Sequence, residues 1–122
     1  MVINVLMAAA EAVPFIKVGG LGDVIGALPQ ELVRQKADIR VILPKYSDIP
    51  EEFTAQMEWV GQFFVPVGWR RQNCDLYRLV YNDVVFYFVG NDYYFARQGI
   101  YGFYDDGERY AFFCRAVLEA LP

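Results

Sequence analysis

The sequence predicts an α/β domain: a Rossmann-like, three-layer core built on a parallel sheet, with an antiparallel hairpin inserted. Three observations predict it. Val2-Ile3-Asn4-Val5-Leu6-Met7 and Asp38-Ile39-Arg40-Val41-Ile42-Leu43-Pro44 are short, nearly continuous apolar runs, the pattern of strands covered on both faces. Between them lies an amphipathic stretch from Leu21 to about Gln35, which makes a βαβ unit with a right-handed crossover. Asn82-Asp83 separates two further strand-like runs, the signature of a tight hairpin.

The elements follow in order. After the first strand, Ala8 to Lys17 reads as a loop containing Pro14, with Glu11 its one charge before Lys17. Lys17-Val18-Gly19-Gly20-Leu21-Gly22-Asp23-Val24 then opens the helix. Leu21, Val24, Ile25, Leu28 and Leu32 recur at helical spacing and are expected to face the core. Pro29 removes one helical hydrogen bond and is expected to kink the helix. Lys45 to Gln56 reads as a polar loop. Trp59 to Val67 and Cys74 to Tyr81 alternate as strands, with Gly68 opening the turn between them. Val84 to Val89 is apolar on both faces, so it either closes a hairpin or switches back into the parallel sheet.

Asn91 to Tyr104 is a glycine-containing loop dense in aromatics. Its rings either stack on a sugar or nucleotide, or pack as a lid on the core. Asp105 and Glu108 have capping-box spacing at the head of a final helix, Arg109 to Leu121. Its expected inner face is Tyr110, Phe113, Cys114, Val117 and Leu121. A helix leaving a parallel sheet leads into another strand, and none follows. The chain is therefore expected to be a piece, residues 1–122, of a larger α/β protein, with a sheet edge and a helix face left to self-associate.

Composition narrows the chemistry. The chain has 122 residues, 56% hydrophobic, with ten Phe, nine Tyr and two Trp, which excludes a disordered segment. Net charge is −4 and no Lys/Arg cluster occurs, so neither nucleic acid nor an anionic membrane is an expected partner. There is no histidine, and the two cysteines lack metal-ligand spacing, which argues against zinc and against Ser-His-Asp catalysis within these residues. The apolar start has no basic stretch before it and no run long enough to span a bilayer, pointing to the cytoplasm.

The glycine-rich junction is the candidate site. Amides of a first helical turn, the positive end of the helix dipole and the Lys17 ammonium together suit an anion. Gly19 and Gly20 lack Cβ atoms and admit a ligand to the main chain. The alternative is a glycine turn beside a solvated lysine. A dinucleotide fingerprint needs a third glycine where Ile25 stands, and a P-loop needs Lys-Ser/Thr where Asp23 stands. A nicotinamide-dependent oxidoreductase is disfavoured on this ground.

Ala10-Glu11-Ala12-Val13-Pro14 with Lys17-Val18-Gly19-Gly20-Leu21-Gly22-Asp23-Val24-Ile25-Gly26-Ala27-Leu28-Pro29 resembles the opening of bacterial glycogen synthases and plant starch synthases. Arg40-Val41-Ile42-Leu43-Pro44-Lys45-Tyr46, Arg97-Gln98-Gly99-Ile100-Tyr101-Gly102 and the run from Glu108 to Glu119 continue the resemblance in collinear order. It implies a retaining glucosyltransferase that moves glucose from ADP-glucose to an α-1,4-glucan. It also implies the GT-B architecture of two Rossmann-like domains, of which this chain would be part of the N-terminal one. Lys17, Gly19 and Gly20 would then lie near the diphosphate and glucose, Glu11 and Asp23 near the glucosyl or acceptor site, and Phe95 where the family carries an aromatic for the nucleotide sugar. The family's catalytic-region histidine would lie beyond Pro122 and its ADP-binding Arg/Lys and Glu in the C-terminal domain, so this chain alone is expected to be inactive. No cofactor and no metal is implied. Val18 stands in place of the usual Thr, Ala9-Ala10 in place of a Ser pair, Ala37 in place of His, and Ala96 and Gln98 in place of Asp and Pro. The competing reading is a non-catalytic carbohydrate-binding module that uses the aromatic loop.

Overall fold

A computed structural model describes residues 3–121. The expected strand start at Val2 and the terminal Pro122 lie outside them. The order is β1 (Asn4–Ala8), α1 (Gly20–Arg34), β2 (Asp38–Pro44), α2 (Glu51–Thr54), β3 (Glu58–Val67), β4 (Arg70–Tyr81), β5 (Val84–Gly90), α3 (Asp92–Phe95) and α4 (Asp106–Ala120). One five-stranded sheet runs β1-β2-β5-β4-β3. β1, β2 and β5 are parallel, while β5-β4-β3 is antiparallel.

β5 takes both of the roles the sequence allowed it. It closes a two-residue hairpin with β4 and also lies parallel beside β2. Asn82 and Asp83 have φ of 49° and 66°, the left-handed pair that a twist-matched hairpin turn needs. β4 begins at Arg70 rather than Cys74, so the β3–β4 hairpin is longer than expected and turns at Gly68, whose φ is 59°. Central position explains why Val41, Ile42, Leu43, Val84, Phe86, Phe88 and Val89 are buried.

Two loops contain short helices the pattern did not show. In the first, α2 brings Phe53 onto Phe15 with ring centroids 4.9 Å apart. Phe15, from the β1–α1 loop, also meets Phe86 at 4.8 Å and Phe88 at 5.2 Å edge-on, so this loop is pinned to the sheet by an aromatic plug. In the second, α3 is capped by Asn91, whose side-chain oxygen accepts from the Tyr94 amide at 3.0 Å.

α1 presents a different face from the one expected, whereas α4 keeps Phe113 buried and Tyr110 and Val117 packed on the core as expected and departs at Cys114 and Leu121. In α1 the buried residues are Gly22, Ile25 and Pro29, whereas Leu21, Val24 and Leu28 are exposed. The cause is close packing: an added Cβ on Gly26 would stand 2.7 Å from Val13 Cβ, so the glycine side of the helix seats against the β1–α1 loop. The helix runs through the buried Pro29 without interruption. In α4 the buried residues are Arg109, Phe112, Phe113 and Ala116, while Cys114 and Leu121 are exposed. Burial of Arg109 turns the helix. Its guanidinium donates to the carbonyls of Tyr94 at 2.7 Å and Ile100 at 2.8 Å and to Asp106.

The capping box does not form. Asp105 makes no side-chain cap; its carboxylate is taken by Arg97 at 2.6 and 2.9 Å, and Glu108 is taken by the hydroxyl of Tyr94. Among the described residues, no helix is long and apolar enough to cross a membrane.

Candidate functional site

The site is the junction of the β1–α1 loop with the head of α1. Lys17, Val18, Gly19 and Gly20 are all exposed, and the N-cap Gly19 has extended backbone at φ −146°. An added Cβ on Gly19 or Gly20 would meet nothing within 4 Å, so that side of each residue is open. Gly22 differs: its Cβ would lie 3.1 Å from both Glu11 Oε1 and Lys17 Cβ. Two glycines therefore leave the main chain bare, while Gly22 and Gly26 let α1 approach the loop.

Glu11, the one charge of the loop before Lys17, is the organising group. It is 2% exposed. Its Oε1 accepts from the amides of Gly22 at 2.9 Å, Gly19 at 3.0 Å and Val18 at 3.3 Å, and its Oε2 from the Tyr101 hydroxyl at 2.7 Å. Part of the anion-binding capacity of the helix head is thus used by the chain's own carboxylate. Burial works against the charge, but the Gly19 amide, the Tyr101 hydroxyl and the Gly22 and Val18 amides outweigh it. Together they hold the carboxyl below its usual range.

Lys17 points outward. Its ammonium lies 2.9 Å from Asp23, with the two side chains 48% and 57% exposed. So exposed a pair is held weakly and exchanges readily with another anion. Lys17 also borders a shallow cleft of about 330 Å³ shared with Val18, Asp48 and Gly99. The structure brings Lys17, Gly19, Gly20, Asp23 and Glu11 into one patch.

Phe95 is not in that patch. It is fully buried, with its ring against Tyr46 at 5.6 Å and Phe112 at 6.1 Å, and offers no face to a ligand. The aromatic segment divides: Tyr94 and Phe95 are core, whereas Tyr93, Tyr101 and Tyr104 are exposed. Tyr101 was not among the expected site residues, although its place in the aromatic loop and in the Arg97–Gly102 run both pointed to it. Cys74 is buried and its thiol is pushed up to about 12, chiefly by burial; Cys114 is exposed, and both are free.

A mixed α/β sheet whose first helix opens on bare glycines beside a lysine narrows the class, and the relatives fix the family. Residues 4–122 match the family model described as the starch synthase catalytic domain, and the chain belongs to that family. It is similar to the glycogen synthase of Desulforamulus reducens, 58% identical over 98% of this chain and 25% of that protein. It is also similar to the glycogen synthase of Geobacillus stearothermophilus, 56% identical over 98% of this chain and 24% of that one. Among solved structures, the catalytic domain of starch synthase IV from Arabidopsis thaliana, bound to ADP and acarbose, superposes with a TM-score of 0.85 at 28% identity, covering 98% of this chain and 25% of that one. The chain spans about a quarter of the length of the curated relatives it matches.

Proposed function

We propose that this chain is the opening part of the N-terminal domain of a GT-B glucosyltransferase, a retaining enzyme that moves glucose from ADP-glucose to the non-reducing end of an α-1,4-glucan. The family membership supports the glucosyl transfer, and the ADP and acarbose held by the starch synthase IV relative support the choice of donor and acceptor. The parallel β1-β2-β5 core supports the Rossmann-like assignment. The place of action is the cytoplasm.

One observation carries the site: the half-exposed Lys17 ammonium beside open main chain at Gly19 and Gly20. Departure of ADP leaves negative charge on the diphosphate. A lysine and helix-end amides, fixed before the reaction, stabilise that charge as it develops. The diphosphate displaces Asp23 from Lys17, and the freed Asp23 carboxylate accepts hydrogen bonds from sugar hydroxyls. Glu11 keeps the loop in shape, and Phe95 supports it from the core. The remaining ADP-binding groups and the catalytic-region histidine belong to the rest of the protein, so the 122-residue chain alone transfers no glucose.

The test is Lys17→Ala in the full-length protein. Loss of one preorganised charge donor is expected to lower kcat by about 10²-fold or more. Turnover of ADP-glucose within a factor of two of the parent's, or glucose incorporation by the isolated chain, would overturn the assignment. The exposed rings of Trp69 and Tyr104, 87% and 96% accessible, favour a carbohydrate-binding module as second reading. That reading requires maltooligosaccharide binding that is indifferent to both Lys17→Ala and ADP-glucose.

A further inference from the structure

Tyr101 lies in the loop between α3 and α4, ninety positions along the chain from Glu11, yet its hydroxyl donates to Glu11 Oε2 at 2.7 Å. The other oxygen of that carboxylate gathers the amides of Val18, Gly19 and Gly22, which flank Lys17. A single buried carboxylate therefore joins the lysine loop to the distant aromatic loop.

The support behind Tyr101 is stiff. Arg97 grips Asp105 with two hydrogen bonds, and the amides of Gly102 and Phe103 donate to Asp106 at 2.8 and 3.2 Å. The buried Arg109 donates to the carbonyl of Ile100, the neighbour of Tyr101. A second tether runs alongside. The Tyr46 hydroxyl donates to the carbonyl of Ala10 at 2.7 Å and lies 2.9 Å from the hydroxyl of Tyr110, which also donates to Ile100. Ala10 and Glu11 are thus each held by a hydroxyl distant in the chain, that of Tyr46 and that of Tyr101. The Tyr101 ring is itself substantially exposed, so its hydroxyl does more for geometry than its ring does for burial.

We propose that Tyr101 is a positioning residue: through Glu11 it fixes the main chain around Lys17 in the orientation that receives the donor's phosphates. The inference rests on the reading of Lys17 given above. Removing the hydroxyl leaves the ring on Tyr110 and leaves Glu11 its three amides, but frees the second carboxylate oxygen.

Tyr101→Phe is the test, read in two ways. Residue-resolved hydrogen exchange on the full-length protein is expected to show the amides of Val18, Gly19 and Gly22 exchanging about tenfold faster, as loss of one hydrogen bond to a charged group predicts, with β2 and β5 unchanged. Unchanged exchange at those amides overturns the proposal, and so does uniform acceleration through the sheet, which marks a merely structural role. Steady-state kinetics of the full-length Tyr101→Phe protein are expected to show a raised KM for ADP-glucose with the KM for glucan unchanged. Faster loop exchange without that rise, in an enzyme where Lys17→Ala does impair donor use, also overturns it. If Lys17→Ala leaves donor kinetics intact, the reading of Lys17 fails on its own and takes the donor-positioning role with it.

Discussion

A carboxylate as buried as Glu11 survives as an anion because four donors converge on it. Its carboxyl titrates lower in the folded chain than in the unfolded one, where about 4.3 is usual. The sign follows: the folded state binds fewer protons, so Glu11 contributes stability above its unfolded pKa and loses that contribution as pH falls through the folded one. Asp105, paired with Arg97, and Asp106, which is desolvated but held by Arg109 and the Gly102 and Phe103 amides, titrate low as well. The whole chain therefore weakens in acid, and a variant is needed to isolate Glu11. Glu11→Gln is expected to cost about 1–3 kcal/mol at neutral pH, because backbone donors lose a charged acceptor. The melting-temperature gap between parent and variant should hold from pH 7 to 5 and close toward pH 3. A gap that is constant down to pH 3 would show that Glu11 has no such linkage. Lys17, Gly19 and Gly20 were legible from local pattern, because exposure of a glycine-rich helix head is a local property. Glu11's partners were not, since its Oε2 bond reaches across the chain to Tyr101.

At the scale of elements, the βαβ unit and the tight hairpin could be read from apolar runs and Asn82-Asp83, whereas the place of β5 beside β2 and the orientation of the helices could not. Hydrophobic spacing in α1 gave one stripe, of which Ile25 is buried but Leu21, Val24 and Leu28 are exposed. Glycine packing turned the helix, through contacts that no hydropathy pattern encodes. In α4 a buried arginine displaced Cys114 and Leu121 from the expected face, because three oxygens were waiting for its guanidinium. This account predicts opposite effects for two glycine substitutions. Gly26→Ala gains roughly 1 kcal/mol of helix propensity. It loses more, about 1–3 kcal/mol, by forcing a Cβ within 2.7 Å of Val13. Gly107→Ala, in the first turn of α4 with nothing within 4 Å, should stabilise by up to about 0.5 kcal/mol. Urea denaturation of both variants decides the point. A stabilised Gly26→Ala would mean that α1 does not seat on its glycine side.

For the whole molecule, one sheet face is the dominant feature. Asn4, Leu6, Asp38, Arg40, Ile42 and Tyr87 share that face at alternate positions, and with Ala120 and Leu121 they line an open groove of about 510 Å³. Ile3, Leu6, Val60, Leu118 and Leu121 are exposed large apolar side chains, and β1 is one of the two edge strands of the sheet. Single exposed apolar residues need no explanation, but Leu6, Val60 and Leu121 lining one groove beside an unpaired strand edge do. The relatives are about four times as long. For the chain by itself the available cover is a second copy, brought together edge to edge or face to face. Two forces then oppose each other. Apolar burial favours association, while a net charge of −4 on each copy resists it. Added salt screens the repulsion and leaves the apolar gain intact, so sedimentation velocity is expected to show association that grows with protein concentration and with ionic strength. If contacts through Asp38 and Arg40 held the copies together instead, salt would weaken them. Leu6→Glu and Leu121→Glu, which place acid in the groove, should each keep the chain monomeric without lowering its melting temperature. A parent chain that stays monomeric at every concentration and salt would show that its exposed face is tolerated by solvent alone.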